Sequence, residues 1–198
     1  MDRRQRKTRE AIFGAFTELL SEKSANQITV GEIIERADVG RATFYAHFET
    51  KDYLLKELCE ELFCHIFDSI EKPNIRHKHI FDCDAPDSVF LHLFIHIQKN
   101  DNHILELLSS ENTEMFLHYF KQGLKKLIGS QLSTLENNNS KELPKDYRIN
   151  HIAATFVETV RWWIDNKMQQ SPHLITKYFL LAIQASDMPD DIRTQNSL

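Results

Sequence analysis

The sequence has few residues that interrupt helices and no apolar run long enough to cross a membrane. Glycine and proline occur only five times each in 198 residues, so turns are sparse and long helices joined by few loops are expected. No apolar run approaches the roughly 20 residues that a membrane-spanning helix needs. The first ten residues are mostly charged and lead into an amphipathic stretch, whereas a signal peptide continues into an apolar core. We therefore expect an all-α protein that is cytoplasmic and has no membrane contact.

Cysteine and the common catalytic motifs are also scarce. The chain has three cysteines, Cys59, Cys64 and Cys83. An odd number with this spacing fits neither a disulfide framework nor a CxxC metal site. The sequence has no glycine-rich phosphate loop, no GxSxG elbow and no HExxH motif. We predict free thiols that pack as small apolar groups, and a protein that is not an enzyme and uses no cofactor.

The charge is distributed unevenly along the chain. Residues 1–52 carry nine basic and nine acidic side chains, so the whole net charge of −5 falls on the remainder. Five of those nine basic side chains lie within the first nine positions: Arg3, Arg4, Arg6, Lys7 and Arg9. A locally basic arm on a neutral head with an acidic body is able to meet phosphates through one end only.

The spacing of apolar residues predicts an amphipathic helix over roughly residues 4–22 and a helix of two turns after Thr29. Thr29 is a typical N-cap, and Glu32 three residues on completes a capping box. A short turn over residues 38–40 then precedes another brief helix. Two short helices joined in this way form a helix-turn-helix unit, whose second helix lies in the major groove of DNA.

Further helices are predicted in the rest of the chain from the same periodicity. They cover approximately residues 50–72, 87–100, 102–110, 113–135, 147–168 and 172–186. Between them we predict a connector over 73–86 and an Asn-rich loop over 136–145, followed by a frayed tail from residue 188. No segment shows the alternation of a strand.

The second helix of the unit has the side chains that reading DNA requires. Phe44 and Phe48 are expected to turn inward, which leaves a small, non-acidic face outside. Arg41 suits a guanine or a phosphate, and Ala42 and Thr43 suit a thymine methyl. The side chains with reach for phosphate oxygens are Thr29, Tyr45, His47 and Lys51.

The stretch from Lys7 to Leu55 resembles the DNA-binding domain of the tetracycline-repressor (TetR) family of bacterial transcription regulators. The residues in register with the family pattern are Thr29, Ile33, Ala37, Val39, Thr43, Phe44, Tyr45, His47, Phe48, Lys51 and Leu54. Asp38 replaces the usual turn glycine, and Gly40 replaces the usual serine cap. Asp tolerates the left-handed conformation, and Gly is an acceptable N-cap, so docking should survive with one phosphate contact fewer.

The resemblance implies an all-helical fold of about nine helices, divided into a DNA-binding domain (1–52), a regulatory and dimerisation domain (53–188) and a flexible tail (189–198). It implies a homodimer formed through the last two helices, a palindromic operator in double-stranded DNA, and a repressor that a small-molecule effector releases. The segment 161–179, with its Trp-Trp and Ser-Pro pairs, is similar to a subgroup common in Gram-positive bacteria.

Two sets of residues in the body follow from these expectations. Wide apolar stripes on the last two helices suit both a core and a partner surface, and the predicted dimer-interface residues are Phe156, Val160, Trp163, Tyr178, Phe179 and Ala182. An effector pocket would be lined by aromatic and apolar side chains. The candidates for that lining are Phe63, Phe67, Phe90, Phe94, Met115, Tyr119 and Trp163, with Phe116 and Phe120 beside them.

Two alternatives stay open at the level of sequence. The DNA-binding head could serve a regulator or activator that is controlled by a protein partner docking on the body. His92 and His96 lie four residues apart, a spacing that is able to chelate Zn²⁺ or Ni²⁺, and His77, His79 and Cys83 could add ligands. Because no further ligand stands at a spacing that completes the set, we predict no metal site.

Overall fold

The computed structural model describes residues 3–71, 88–99, 104–109, 114–135 and 143–184. These residues form nine helices and no strand. The helices are α1 (Arg3–Glu22), α2 (Val30–Arg36), α3 (Arg41–His47), α4 (Lys51–Glu71), α5 (Val89–Lys99), α6 (Ile104–Ser109), α7 (Glu114–Leu135), α8 (Lys145–Asp165) and α9 (Pro172–Gln184). The all-α prediction is confirmed. The connector at 73–86, the loop at 136–142, the tail and Cys83 lie outside the described residues.

The chain forms two compact units, Met1–Leu124 and Lys125–Leu198, which divide within α7. The domain boundary expected at residue 52 therefore falls inside the first unit and stays a prediction about function. None of the helices in the described ranges is both long and apolar enough to span a membrane.

The helices α1, α2 and α3 pack around a small aromatic and aliphatic core. Phe16, Ile33, Phe44 and Phe48 are fully buried there, and the rings of Phe44 and Phe48 are 6.0 Å apart between centroids. Arg36 at the end of α2 donates two bonds to the Glu22 carboxylate of α1, at 2.7 and 3.1 Å, and this pairing lowers the pKa of Glu22. A bidentate pair fixes orientation as well as distance, so α2 is held at one angle on α1.

The second unit contains α8 and α9, which pack against each other. Phe156 and Phe179 meet edge to face, with centroids 5.4 Å apart, a contact worth about 0.5–1.5 kcal/mol beyond its buried area. The helix α8 ends at Asp165, three residues before the predicted end, because Lys167 and Met168 adopt left-handed φ angles of 56° and 51°. The helix α9 begins at Pro172 as predicted, and its Leu174 amide donates to the Ser171 hydroxyl at 3.3 Å.

The cysteines differ in environment. Cys59 is buried and its thiol lies 3.9 Å from the carbonyl oxygen of Phe116, and burial raises the pKa of this thiol. The predicted packed thiol is thus confirmed for Cys59. It is wrong for Cys64, which is exposed on α4.

Candidate nucleic-acid interface

The first helix of the helix-turn-helix unit begins with the predicted capping box. The Glu32 amide donates to the Thr29 hydroxyl at 3.3 Å, and the Thr29 amide donates to the Glu32 carboxylate at 2.9 Å. Lys23 pairs with the other carboxylate oxygen. The bond from Lys23, followed by those from Thr29, lowers the pKa of Glu32 to about 2. Thr29 is exposed, so its hydroxyl caps α2 at a point that solvent or a phosphate is able to reach.

The turn between α2 and α3 has the geometry expected of its unusual residues. Asp38 adopts a left-handed φ of 51°, the conformation that the family's usual glycine would supply. Gly40 is the N-cap of α3 in an extended conformation, and it provides no side-chain cap bond. Its carbonyl accepts the Phe44 amide at 3.0 Å. The predicted tolerance of both replacements is confirmed locally, since α3 starts at Arg41.

The two faces of α3 separate cleanly. Phe44 and Phe48 are fully buried, as predicted, and they anchor the helix to the head. The opposite face is open: Arg41, Ala42, Thr43 and Tyr45 are exposed, and His47 is partly exposed. Tyr45 leaves 47% of its surface free while its ring rests edge-on against Phe44, 5.3 Å between centroids. The face carries donors and a cation and has no acidic side chain, which are the properties that approach to base edges requires.

Lys51 has a partner other than the predicted one. Its ammonium donates to the backbone carbonyls of Ala25 at 2.7 Å and Ile28 at 2.9 Å, with Asn26 at 3.5 Å. The role expected from the sequence, a phosphate contact, competes with these bonds. Lys51 ties the start of α4 to the loop between α1 and α2 in this structure, and its contact with a phosphate stays a prediction.

The basic residues at the start of α1 fall into an exposed group and one residue that is paired within the chain. Arg3, Arg4, Arg6 and Lys7 are exposed and are available to phosphates. Arg9 instead pairs with the buried Glu57 of α4, and its guanidinium lies 5.0 Å from the centroid of the Phe48 ring. Arg9 is consequently a structural link between the head and α4.

The residues predicted for the dimer interface separate into two groups. Phe156, Val160, Trp163 and Phe179 are buried within one chain, and the Trp163 indole N–H donates to the Gln170 carbonyl at 3.0 Å. A side chain enclosed by its own subunit offers no surface, so these four are corrected to intramolecular packing. Tyr178 and Ala182 are exposed, and the apolar side chains exposed with them are Trp162, Leu174 and Leu181.

The residues predicted for the effector pocket are also dispersed. Phe63, Phe90 and Phe94 are buried in the first unit, whereas Met115 is 45% exposed and Phe67 and Tyr119 are partly exposed. Phe63 packs on Phe120, 5.3 Å between centroids. Trp163 belongs to the second unit and is already bonded there. Met115 thus faces solvent on α7 and Trp163 is buried in the second unit, and the effector pocket stays a prediction.

The His92 and His96 pair noted in the sequence belongs to a histidine cluster in the first unit, whose third member, His65, was missed. His92 and His96, one turn apart on α5, are fully buried, and His65 of α4 is nearly so. A ring nitrogen of each lies within 4.8 Å of the others. His65 precedes the other two by almost thirty residues, so no spacing signal in the sequence pairs it with them.

Two sequence families match this chain. Residues 12–58 match the family described as bacterial regulatory proteins, tetR family, and residues 84–184 match a transcriptional regulator C-terminal region of the TetR group. The first match covers the capping box, the turn and α3. The second covers more than half of the chain.

Comparison with individual known proteins also points to TetR-type regulators. A TetR transcriptional regulator from Streptococcus agalactiae is 32% identical, with a TM-score of 0.71 over 92% of this chain and 96% of that one. FadR from Bacillus subtilis, solved with stearoyl-CoA, has a TM-score of 0.58 at 18% identity, over 91% and 99% of the two chains, and shows the fold alone. The HTH-type regulator YxbF of Bacillus subtilis is 23% identical over 91% of this chain. The chain spans 45% of the length of YxbF and less than half of the other curated relatives that it matches.

Proposed function

Because the chain belongs to the TetR family of bacterial transcription regulators, we propose that it is a homodimeric repressor that a small-molecule effector releases from a palindromic operator. The observation that carries the proposal is the division of α3 into a buried aromatic face and an exposed face of donors. A helix held by Phe44 and Phe48 and open at Arg41 and Thr43 has the geometry of a recognition helix.

Each exposed residue has a distinct role in the proposed complex. Arg41, at the start of α3, binds a guanine edge through two bonds, and Ala42 and Thr43 contact thymine methyl groups. Thr29, Tyr45 and His47 contact phosphates and set the register. The exposed arginines and lysine before residue 8 add phosphate contacts that carry no sequence information.

The proposed dimer forms through the exposed apolar side chains of α8 and α9. Leu174, Tyr178 and Leu181 follow helical spacing on α9, and the Tyr178 ring meets Trp162 of α8 with centroids 6.3 Å apart. Trp162, Tyr178 and Leu181 are each about half exposed, an arrangement typical of a partner surface. Two-fold symmetry then presents two recognition helices to half-sites about 34–36 Å apart.

The release step and the cellular setting are parts of the same proposal. FadR of Bacillus subtilis binds stearoyl-CoA, which supports a small-molecule effector for this fold without identifying one here. A regulator of this kind would act in the cytoplasm, where the chromosome lies, through DNA binding and without catalysis. Membership of the Trp-Trp and Ser-Pro subgroup also stays a prediction.

Selection of binding sites from a random duplex library tests the proposal. We expect enrichment of a palindrome whose half-sites are one helical turn apart, together with a dimer mass in light scattering. Recovery of no common sequence would contradict DNA-binding regulation. Enrichment of a single half-site by a monomer would instead favour the alternative, in which the exposed face of α8 and α9 receives a different protein.

A further inference from the structure

We propose that His65, His92 and His96 form a binding site for a divalent transition-metal cation, with Zn²⁺ as the typical occupant. This site revises our prediction from the sequence that the chain has no metal site. Metal binding does not depend on the proposed function, whereas any effect of the metal on DNA binding does.

The three imidazoles come from two packed helices of one compact unit. His92 and His96 are four residues apart and share one face of α5, and His65 of α4 faces them. The three ring centroids are each 4.9 Å from the other two. With two rings fully buried and the third nearly so, the arrangement is a defined core feature and not a chance meeting of surface side chains.

The chemistry of the donors fits a borderline transition metal. A metal binds the neutral imidazole through a ring nitrogen, and this cluster presents one such nitrogen from each of three histidines. Imidazole nitrogen suits Zn²⁺, Ni²⁺ and Cu²⁺, whereas Mg²⁺ and Ca²⁺ prefer oxygen.

The distances allow coordination after a small adjustment. Zinc sites with three protein ligands, such as a set of three histidines, leave a fourth position for water or another ligand. Zn–N bonds of about 2.0–2.1 Å in a tetrahedron place the nitrogens about 3.4 Å apart, and here they lie within 4.8 Å. Rotation of the side chains about their χ angles closes a difference of up to about 1.4 Å without moving either helix far.

The position of the site suggests a regulatory consequence. The helix α4 carries His65 and also Lys51 and Glu57, which hold the head through the Ala25 carbonyl and Arg9. Glu57 lies eight residues before His65, about 12 Å along the helix. A cation that draws His65 toward α5 would act on the helix that positions the DNA-binding head.

Titration of the tag-free, chelator-treated full chain with Co²⁺, followed by Zn²⁺ competition, tests the site. Co²⁺ held by nitrogen ligands absorbs visible light, so the spectrum reports the ligands directly. We expect one equivalent per chain, displaced by Zn²⁺. In His92→Gln and His65→Gln the Co²⁺ affinity should fall at least about tenfold, because each removes one of three ligands. His118→Gln removes an exposed histidine of α7 and is the matched control, which should bind as the unaltered chain does.

Several outcomes would overturn the proposal of a metal site. Absence of the Co²⁺ spectrum in the folded chain would do so, as would equal binding by His92→Gln and the control. Circular dichroism shows whether each variant folds, and the less buried His65→Gln provides the decisive comparison if His92→Gln unfolds. Operator affinity with and without Zn²⁺ is a separate arm: an unchanged affinity at full occupancy rejects regulation by the metal. Failure to bind any DNA rejects the proposed function and leaves the titration result standing.

Discussion

The Lys51 ammonium donates to the Ala25 carbonyl at 2.7 Å, across 26 positions of the chain. The same ammonium reaches the Ile28 carbonyl at 2.9 Å. A cation that satisfies two part-buried carbonyls joins the loop between α1 and α2 to the first turn of α4. We therefore expect this lysine to contribute to the stability of the head.

Lys51→Ala should lower the free energy of unfolding by about 1.5–3 kcal/mol, because it removes charge-assisted bonds and leaves buried carbonyls unpaired. Denaturant unfolding followed by circular dichroism measures the change. Lys125→Ala alters an exposed lysine of α7 and is the control, with an expected change within about 0.5 kcal/mol. Equal stabilities of the two variants would return Lys51 to the phosphate role predicted from the sequence.

Leu181→Asp should dissociate the proposed dimer, because it places an unpaired charge within an apolar surface. Leu181 is 52% exposed on one chain, so the monomer should stay folded. Mass measured by light scattering at several concentrations reports the change, with Lys125→Asp as the control outside α8 and α9. A stable dimer in Leu181→Asp would move the interface elsewhere.

Trp163→Ala should lower the stability of the chain, in contrast to the loss of association expected for Leu181→Asp. The indole is fully buried and its N–H is bonded to Gln170, so truncation should cost about 3–5 kcal/mol. Thermal melting measures the loss. Dissociation with an unchanged melting temperature would show that Trp163 faces the partner after all.

Gly123→Ala should destabilise the first unit by about 1–3 kcal/mol, the usual cost of overpacking a core. A methyl group at Gly123 would collide with the Phe63 ring, whereas one at Gly14 meets nothing within 4 Å. Gly14→Ala is therefore the control, and it should stabilise α1 by up to about 1 kcal/mol through helix propensity. Equal changes in the free energy of unfolding for Gly123→Ala and Gly14→Ala would mean that the Phe63 ring moves aside at little cost.

Glu32→Gln should remove stability above pH 4.5 and have little effect near pH 2. The folded pKa of Glu32 is lowered from 4.5 to about 2 by Lys23 and Thr29, so the unfolded chain takes up a proton first as the pH falls. The stabilisation is complete above pH 4.5 and disappears progressively toward pH 2. Denaturant unfolding of the unaltered chain and of Glu32→Gln across this pH range measures the difference in their free energies of unfolding. A difference that stays constant down to pH 2 would contradict the pairing of Glu32 with Lys23 and Thr29.

The sequence predicted the parts of the head whose physics is local. The Thr29 cap, the left-handed Asp38 and the start of α3 at Arg41 each depend on residues within a few positions of one another. The inward direction of Phe44 and Phe48 followed from helical periodicity. The described helices confirm all of these.

The sequence missed contacts between distant segments. No local signal indicates that Lys51 meets Ala25, or that His65 meets α5, because both contacts are set by tertiary packing. On α8 the apolar stripe includes Trp163, which we predicted at the dimer interface and in the effector pocket, and the structure buries it within the chain. The apolar residues of this stripe pack within the chain, and the exposed aromatic side chain of α8 is Trp162, next to Trp163.

The most direct test of the central claim is the operator affinity of Arg41→Ala, measured by fluorescence anisotropy on the selected palindrome and on a scrambled duplex. We predict a loss of about 1–3 kcal/mol on the palindrome, with circular dichroism unchanged because Arg41 is exposed. Arg161→Ala, which removes an exposed arginine of α8 that pairs with Glu158, should bind as the unaltered chain does. An Arg41→Ala affinity equal to that of Arg161→Ala on the palindrome would contradict the account of α3 as the recognition helix.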